Sequence, residues 1–375
     1  MNRLNDKLKQ VTDTIQLLRK DQHTVGISVS ITHEKEIIYA EGIGYSNLEN
    51  SPPSKMTPNT IMNIQSVSKN FMAFSIMKLV EDRIIKLDDP LVEYLPYFQT
   101  MDKKMSDLIT VRQLLSHTAG FPSNLGVANM IAPNVKELHS DYPTEYQEAL
   151  DHFRLTDEEL KSIISREDIT RWFSKVKLDY PPGNGWQYCT DAYVIVCDLF
   201  EKVTGRSWET HLQHSLFNPL GMKRSSWDYR VAEADPDHAS YYFDKEMKLI
   251  AYPKNPISAP IGYLYSTAND LAKYLSAQLN EPLILKKKSL SVMQTPVAQV
   301  TGDWSRGSEV RGYGLAWFTD SYKGFKFVEH AGGQIAIRAL ISMIPEKKLG
   351  IAVLLNFNSQ IHYEISRKIF NIFVD

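Results

Sequence analysis

The sequence predicts an α+β fold, an α/β sandwich in which one antiparallel sheet is flanked by N- and C-terminal helices. An all-helical region is inserted in the middle. Three observations predict it. Strand-like runs lie near both ends of the 375-residue chain, helix-like patterns fill its centre, and each terminus is an amphipathic helix. Terminal segments of this kind bury their apolar faces most simply by joining one layered unit. The sheet portion is expected from residues 1–86 and 241–375, and the helical portion from 87–240.

The elements follow in order. Leu4, Leu8, Val11, Ile15 and Leu18 recur at spacings of three and four, the pattern of an amphipathic helix. Residues 25–31 (VGISVSI) alternate with period two and are β-branched, so they read as a strand. Residues 36–44 (EIIYAEGIG) make a second strand after the short His33-Glu34-Lys35 connection, giving an antiparallel hairpin. Pro52, Pro53 and Pro58 mark an irregular approach to residues 61–81, an extended lead-in followed by a helix. Phe71, Met72, Ala73, Phe74, Ile76, Met77, Leu79 and Val80 leave that helix almost no polar face, so it should be buried on most sides.

LDDP at 87–90 breaks the chain. Residues 109–115 (ITVRQLL) then run into SHTAG, a helix ending in a tight turn at Gly120. Residues 121–180 are polar and mostly helical, with Thr156 and Glu159 spaced as a capping box. PPGNG at 181–185 turns the chain into a helix-like pattern over 186–203. In the last third, 313–319, 325–330, 336–344 and 349–357 read as strands, with PEKK at 345–348 as a hairpin connection. Ile361, Ile365, Ile369 and Phe373 place a closing helix over 360–374.

Composition excludes several classes of function. The net charge is −2, and Lys and Arg are scattered, so neither nucleic acid nor an anionic membrane is an expected partner. No run approaches the roughly 18 apolar residues of a membrane span, and the N-terminus has no apolar core of signal-peptide length. Cys189 and Cys197 are the two cysteines, read as reduced thiols. Together these predict a cytoplasmic location.

The chemistry concentrates at Ser66-Val67-Ser68-Lys69. Residues three apart share a helix face, so the Ser66 hydroxyl and the Lys69 amine can meet. A helix N-terminus favours developing negative charge, and a desolvated amine can take the proton that keeps a hydroxyl from attacking. Spacing alone does not single this pair out, because Ser75 with Lys78 and Ser174 with Lys177 match it equally.

Other segments do. SVSK before a buried helix resembles the active-site motif of the serine penicillin-recognising enzymes, and most closely the class C β-lactamase-like branch with its D,D-peptidases, D-aminopeptidases and esterases. LDDPLVEYLP, ITVRQLLSHTAG, PPGNGWQYC, LFNPLGM, LYSTANDLAKYL and YGLAW follow in that family's order and cover most of the chain. The resemblance implies a β-lactamase/transpeptidase-like fold and a cofactor-free serine hydrolase without a metal, working through an acyl-enzyme. It implies Ser66 as nucleophile, Lys69 and Tyr188 sharing the base role, and a Tyr188 phenol whose pKa Lys69 holds down. Tyr188-Cys189-Thr190 stands where the family has Tyr-x-Asn, and Thr190 departs from it, with a shorter reach toward a substrate amide. His330-Ala331-Gly332 stands where the lactamases have Lys-Thr-Gly. His330 is expected to donate to the substrate or to the Tyr188–Ser66 pair. Gly332 and Gly333 would let substrate approach the strand edge, with the Ser66 and Gly333 amides as oxyanion hole.

Weaker candidates remain beside these. His117 reads as structural, closing a turn. His211 and His214 share a helical spacing but read as a solvated face, and Cys189 as a small buried filler. The charged run 145–159 makes 121–180 a candidate lid. The expected substrate is a small molecule or short peptide: a D-amino-acid peptide or amide first, an ester second, with a β-lactam disfavoured by His330 and the N-terminus. A third reading, a binding or scaffold protein of the same fold, follows from Thr190.

Overall fold

The structure is a computed structural model that describes residues 2–123, 125–135, 143–251, 254–280 and 284–374. The strands of its main sheet are β1 (Gly26–His33), β2 (Glu36–Asn47), β3 (Ser54–Lys55), β4 (Ala298–Gln299), β5 (Gly312–Tyr313), β6 (Phe318–Tyr322), β7 (Phe325–Gln334), β8 (Ile337–Ile344) and β9 (Leu349–Leu355). They stand in the order β3-β2-β1-β9-β8-β7-β6-β5-β4, and every pairing between neighbours is antiparallel. The two ends of the chain meet where β1 pairs with β9, from Ile27 opposite Leu355 to His33 opposite Leu349.

Alternation along β1 sets the layers. Ile27, Val29 and Ile31 face a core shared with Val11 and Ile15 of helix α1 (Asn2–Asp21) and with Ile365, Ile369 and Phe370 of the C-terminal helix (Ile361–Val374). The other face points toward the helical half, where the Ser30 hydroxyl donates to Asn269 at 2.7 Å. There α2 (Ser68–Glu81) is buried almost throughout. Phe71 of α2 stacks on Tyr274 with ring centroids 4.6 Å apart. One continuous apolar cluster joins Phe74 of α2, Leu114 of α3 (Val111–Leu115), Val194 of α4 (Ala192–Thr204), Leu275 of α5 (Ala268–Leu279) and Leu354 of β9. Ser75 of α2 donates to the Phe71 carbonyl and accepts from the Trp208 indole.

Three local expectations are corrected. The helix before SHTAG does not run on to Gly120; it ends at Leu115, and His117 adopts the left-handed conformation (φ 59°), as Gly120 does further on (φ 87°). The 313–319 run is two strands, because Ala316 also takes positive φ (61°) and turns the chain between β5 and β6. Residues 186–190 are not helical; α4 begins at Ala192. The Thr156–Glu159 capping box is present. Within 121–180, residues 124 and 136–142 lie outside the described residues. The helices at 143–153 and 157–162 send Leu150, Phe153 and Leu160 into the main core.

Candidate active site

The approach to α2 is a short ladder, Met62–Asn63 paired with Tyr265–Ser266, and then a 3-10 turn, Gln65–Val67, that runs straight into the helix. Gln65 is buried with φ 49°, a conformation that non-glycine residues adopt at a cost of about 1 kcal/mol or more. It is held by Asn63, whose side-chain oxygen accepts from the Gln65 backbone N–H (2.9 Å) and from its side-chain amide (2.7 Å). This turn carries Ser66 to the wall of a cavity.

Lys69 lies one turn further on with no exposed surface. Its Nζ is 3.0 Å from Ser66 Oγ and 2.6 Å from the Ile261 carbonyl. Burial lowers the amine's pKa to about 7, opposed by the charge of Asp191 and more weakly by Cys189. When neutral, the amine donates to Ile261 and turns its lone pair toward the Ser66 hydroxyl. That is the geometry of proton removal.

Tyr188 is positioned by its neighbours. His117, in its left-handed turn, accepts from the Cys189 N–H at 3.3 Å through Nδ1, and its carbonyl accepts from Gln187 N–H at 2.9 Å. The His117 and Tyr188 rings lie 4.2 Å apart, and Trp304 stacks on the far side of Tyr188 at 4.9 Å. The Lys69 Nζ is 5.1 Å from the Tyr188 ring centroid. Burial pushes the Tyr188 phenol well above its ordinary pKa, against the opposing effect of the Ser66 hydroxyl. This corrects the expectation that Lys69 holds the phenol down: desolvation of the phenolate dominates, so Tyr188 stays protonated and acts as a donor.

His330 sits on β7, 1% exposed. Its Nδ1 is 2.9 Å from the Ala331 carbonyl and its Nε2 3.1 Å from the Tyr313 hydroxyl. Both ring nitrogens are therefore engaged away from Ser66, unlike the donor role expected from sequence. Burial, with the Lys69 charge, lowers its pKa to about 3, so the ring is neutral. A carbonyl can only accept, which places the proton on Nδ1 and leaves Nε2 to accept from Tyr313.

Beyond Glu329 the strand β7 outruns its partner β6, and residues 330–334 border the cavity. Gly332 lies hard against the serine turn: a Cβ there would stand 2.3 Å from the Ile64 carbonyl oxygen and 2.8 Å from Ser66 N. Only glycine permits this approach. Gly333 is exposed and roomier, its nearest neighbour being the Arg338 side chain at 3.4 Å from a built Cβ.

Ser66, Tyr188, Thr190, His330, Gly332 and Gly333 line one cavity of about 470 Å³, with Lys69 sealed behind it. Among the described residues of 121–180, Ser123 and no other candidate-lid residue joins that lining. The outer wall comes instead from Trp304, Arg306 and Arg311 on the 300–311 segment and from Arg338 and Tyr363. Sequence reading passed over these residues and Asp191. Trp304 and Arg306 in GDWSRG were the available signal, but nothing local says that this loop crosses the cavity. His211 packs on Phe200 at 4.8 Å while His214 is exposed, so the pair does not converge.

The model of the Beta-lactamase family matches residues 11–372. The chain belongs to the beta-lactamase family. Protein flp of Staphylococcus aureus (strain COL) is 23% identical over 95% of this chain, which spans 64% of that relative's length. Among solved structures, the octameric penicillin-binding protein homologue from Pyrococcus abyssi superposes with TM-score 0.78 at 27% identity, covering 98% of this chain and 76% of that one. A class C beta-lactamase superposes at 0.75 with 18% identity, covering 98% and 96%, a likeness of fold. This member of the beta-lactamase family has the mixed α/β architecture of both structures. Among its described residues, no helix is long and apolar enough to cross a membrane.

Proposed function

We propose that the protein is a serine hydrolase that works by acyl transfer on small amides or short peptides, those containing D-amino acids first. The observation that carries this reading is the Lys69 amine, fully buried, 3.0 Å from the Ser66 hydroxyl and shifted to about 7. A base poised near neutrality beside a hydroxyl is the requirement for an activated serine. Ser66 attacks the carbonyl carbon and its proton passes to Lys69. The amides of Ser66 and Gly333 face the developing oxyanion. Tyr188, protonated and in contact with Ser66, relays the Lys69 proton to the leaving group so that amine and phenol end as they began; water then adds to the acyl carbon, its proton passing by way of Lys69 to the departing Ser66 oxygen, and the acid is released.

Thr190, Gln334 and the open edge of β7 offer hydrogen-bonding groups along the cavity. A peptide-like substrate can use them and a simple ester cannot, which supports reading amide hydrolysis ahead of ester hydrolysis. A panel of a p-nitrophenyl ester, D- and L-aminoacyl anilides and a chromogenic cephalosporin tests the reading, with Ser66→Ala as control. Turnover of a D-aminoacyl anilide, abolished in Ser66→Ala, is expected. Activity on the ester alone makes it an esterase, and turnover retained in Ser66→Ala overturns the mechanism.

A further inference from the structure

Asp191 is a buried charge that the reaction outlined above does not use. Its carboxylate has no exposed surface. Oδ1 accepts from the Ala128 N–H at 2.8 Å, while Oδ2 has no hydrogen-bond partner among the described residues. A sealed carboxylate oxygen without a donor is costly unless a cation shares its surroundings. Other buried charges meet theirs directly: Asp270 with Lys273 at 2.8 Å, Arg311 with Glu329 at 2.9 Å. Asp191 has no such direct partner; the cation whose charge acts on its carboxyl is Lys69. Tyr188 and Tyr193, three residues before Asp191 and two after it, both turn their rings to the Lys69 Nζ, at 5.1 and 5.8 Å from the centroids.

We propose that Asp191 is a positioning residue for the reaction, its carboxylate serving as the counter-charge that sets when the Lys69 amine is free to take the Ser66 proton. It rests on the reading of Ser66 as nucleophile and Lys69 as its base. The other titratable groups around the amine are neutral. Burial pushes Tyr188, Cys189 and Tyr193 upward and His117 and His330 downward, so none of them carries charge near pH 7. From the turn just before its helix Lys69 meets the Ser66 hydroxyl, and from residues 259–262 the Ile261 carbonyl. Asp191 is thus the group near Lys69 whose charge can tune it, and burial raises its own carboxyl to about 6.

The sign is fixed. Removing a negative charge disfavours the ammonium, so Asp191→Asn should free the amine at lower pH. The experiment follows the rate of Ser66 labelling by a fluorophosphonate from pH 5 to 9 in the wild type, Asp191→Asn and Asp191→Glu. The acid limb of Asp191→Asn should move down by about one pH unit, an approximately tenfold gain relative to plateau at the foot of the limb. Asp191→Glu should restore the wild-type position. A lower plateau or melting temperature with an unmoved limb overturns the proposal, as does a limb that moves upward. If Asp191→Asn does not fold, ¹³C NMR of the wild type decides. Lys69 Cε and Asp191 Cγ should show coupled, two-step titrations, and independent single steps overturn the proposal. Wild type that is never labelled at Ser66 contradicts the serine-hydrolase reading itself, an outcome distinct from either.

Discussion

Two buried charge centres lie close to the catalytic wall, and they are built in opposite ways. Glu329, 1% exposed, faces Arg311 at 2.9 Å, Arg367 at 3.3 Å and Arg306 at 3.7 Å. Burial alone would raise its carboxyl, but the three guanidiniums outweigh that and hold it below its ordinary value. Lys69, equally buried, has a hydroxyl and a carbonyl in contact and its counter-charge Asp191 set back, so burial wins and the amine falls to about 7. An over-compensated charge is fixed and serves the fold. An under-compensated one can change its protonation near neutral pH and serves the chemistry.

The sharpest way to break this comparison is to remove each charge. Lys69→Met should abolish Ser66 labelling, a loss of about 10⁴-fold or more, and should lower stability, because it leaves the buried Asp191 carboxylate without its counter-charge. Urea unfolding and labelling rates, measured together, check both. The pH slope gives a second sign. The Lys69 pKa is about 7 folded against 10.5 for the free side chain. Between those values the unfolded chain holds the extra proton, so wild-type stability rises with pH, and Lys69→Met should lose that rise. A Lys69→Met variant whose stability still rises as steeply as the wild type's between pH 7 and 10.5 contradicts the comparison.

Glu329→Gln should act on stability alone. Removing the Glu329 charge leaves the buried Arg311 with Asp320, at 3.4 Å, and costs about 3–5 kcal/mol of stability, while the acid limb of Ser66 labelling stays where it was. A shifted limb would mean that the two centres are one. Because β7 carries Glu329 on one side of His330 and the glycines on the other, Gly332→Ala sharpens the point geometrically. The added Cβ meets the Ile64 carbonyl and Ser66 N, which should part the strand from the serine turn and cost about 10² in labelling rate. Gly333→Ala, whose Cβ would make ordinary contact with the Arg338 side chain at 3.4 Å, should have the smallest effect, leaving melting temperature and labelling near wild type.

What could be read from the sequence divides along the same physical line. The Ser66–Lys69 contact follows from helix geometry, which is local, and the apolar faces of α1, α2 and the C-terminal helix follow from periodicity. That both chain ends share one antiparallel sheet followed from the need to bury them, while the pairing of β1 with β9 came only with the structure. Tyr188 and His330 entered only through the order of motifs, because their convergence on Ser66 is tertiary. The left-handed residues Gln65, His117 and Ala316 were illegible, since side chains that disfavour that conformation are held there by neighbours such as Asn63. The outer wall at Trp304, Arg306 and Arg338 and the counter-charge at Asp191 were missed for the same reason. The protonation states also lay beyond the sequence: burial, not the nearest charge, decides Tyr188 and His330.

The central claim is that Ser66 is a nucleophile activated by a neutral Lys69. Mass-spectrometric mapping of a fluorophosphonate adduct on the wild-type protein, as a function of pH, tests it most directly. The account predicts a single adduct on Ser66 whose rate of formation is half-maximal near pH 7, following the Lys69 amine. An adduct on another serine, or a Ser66 rate indifferent to pH between 5 and 9, would contradict it.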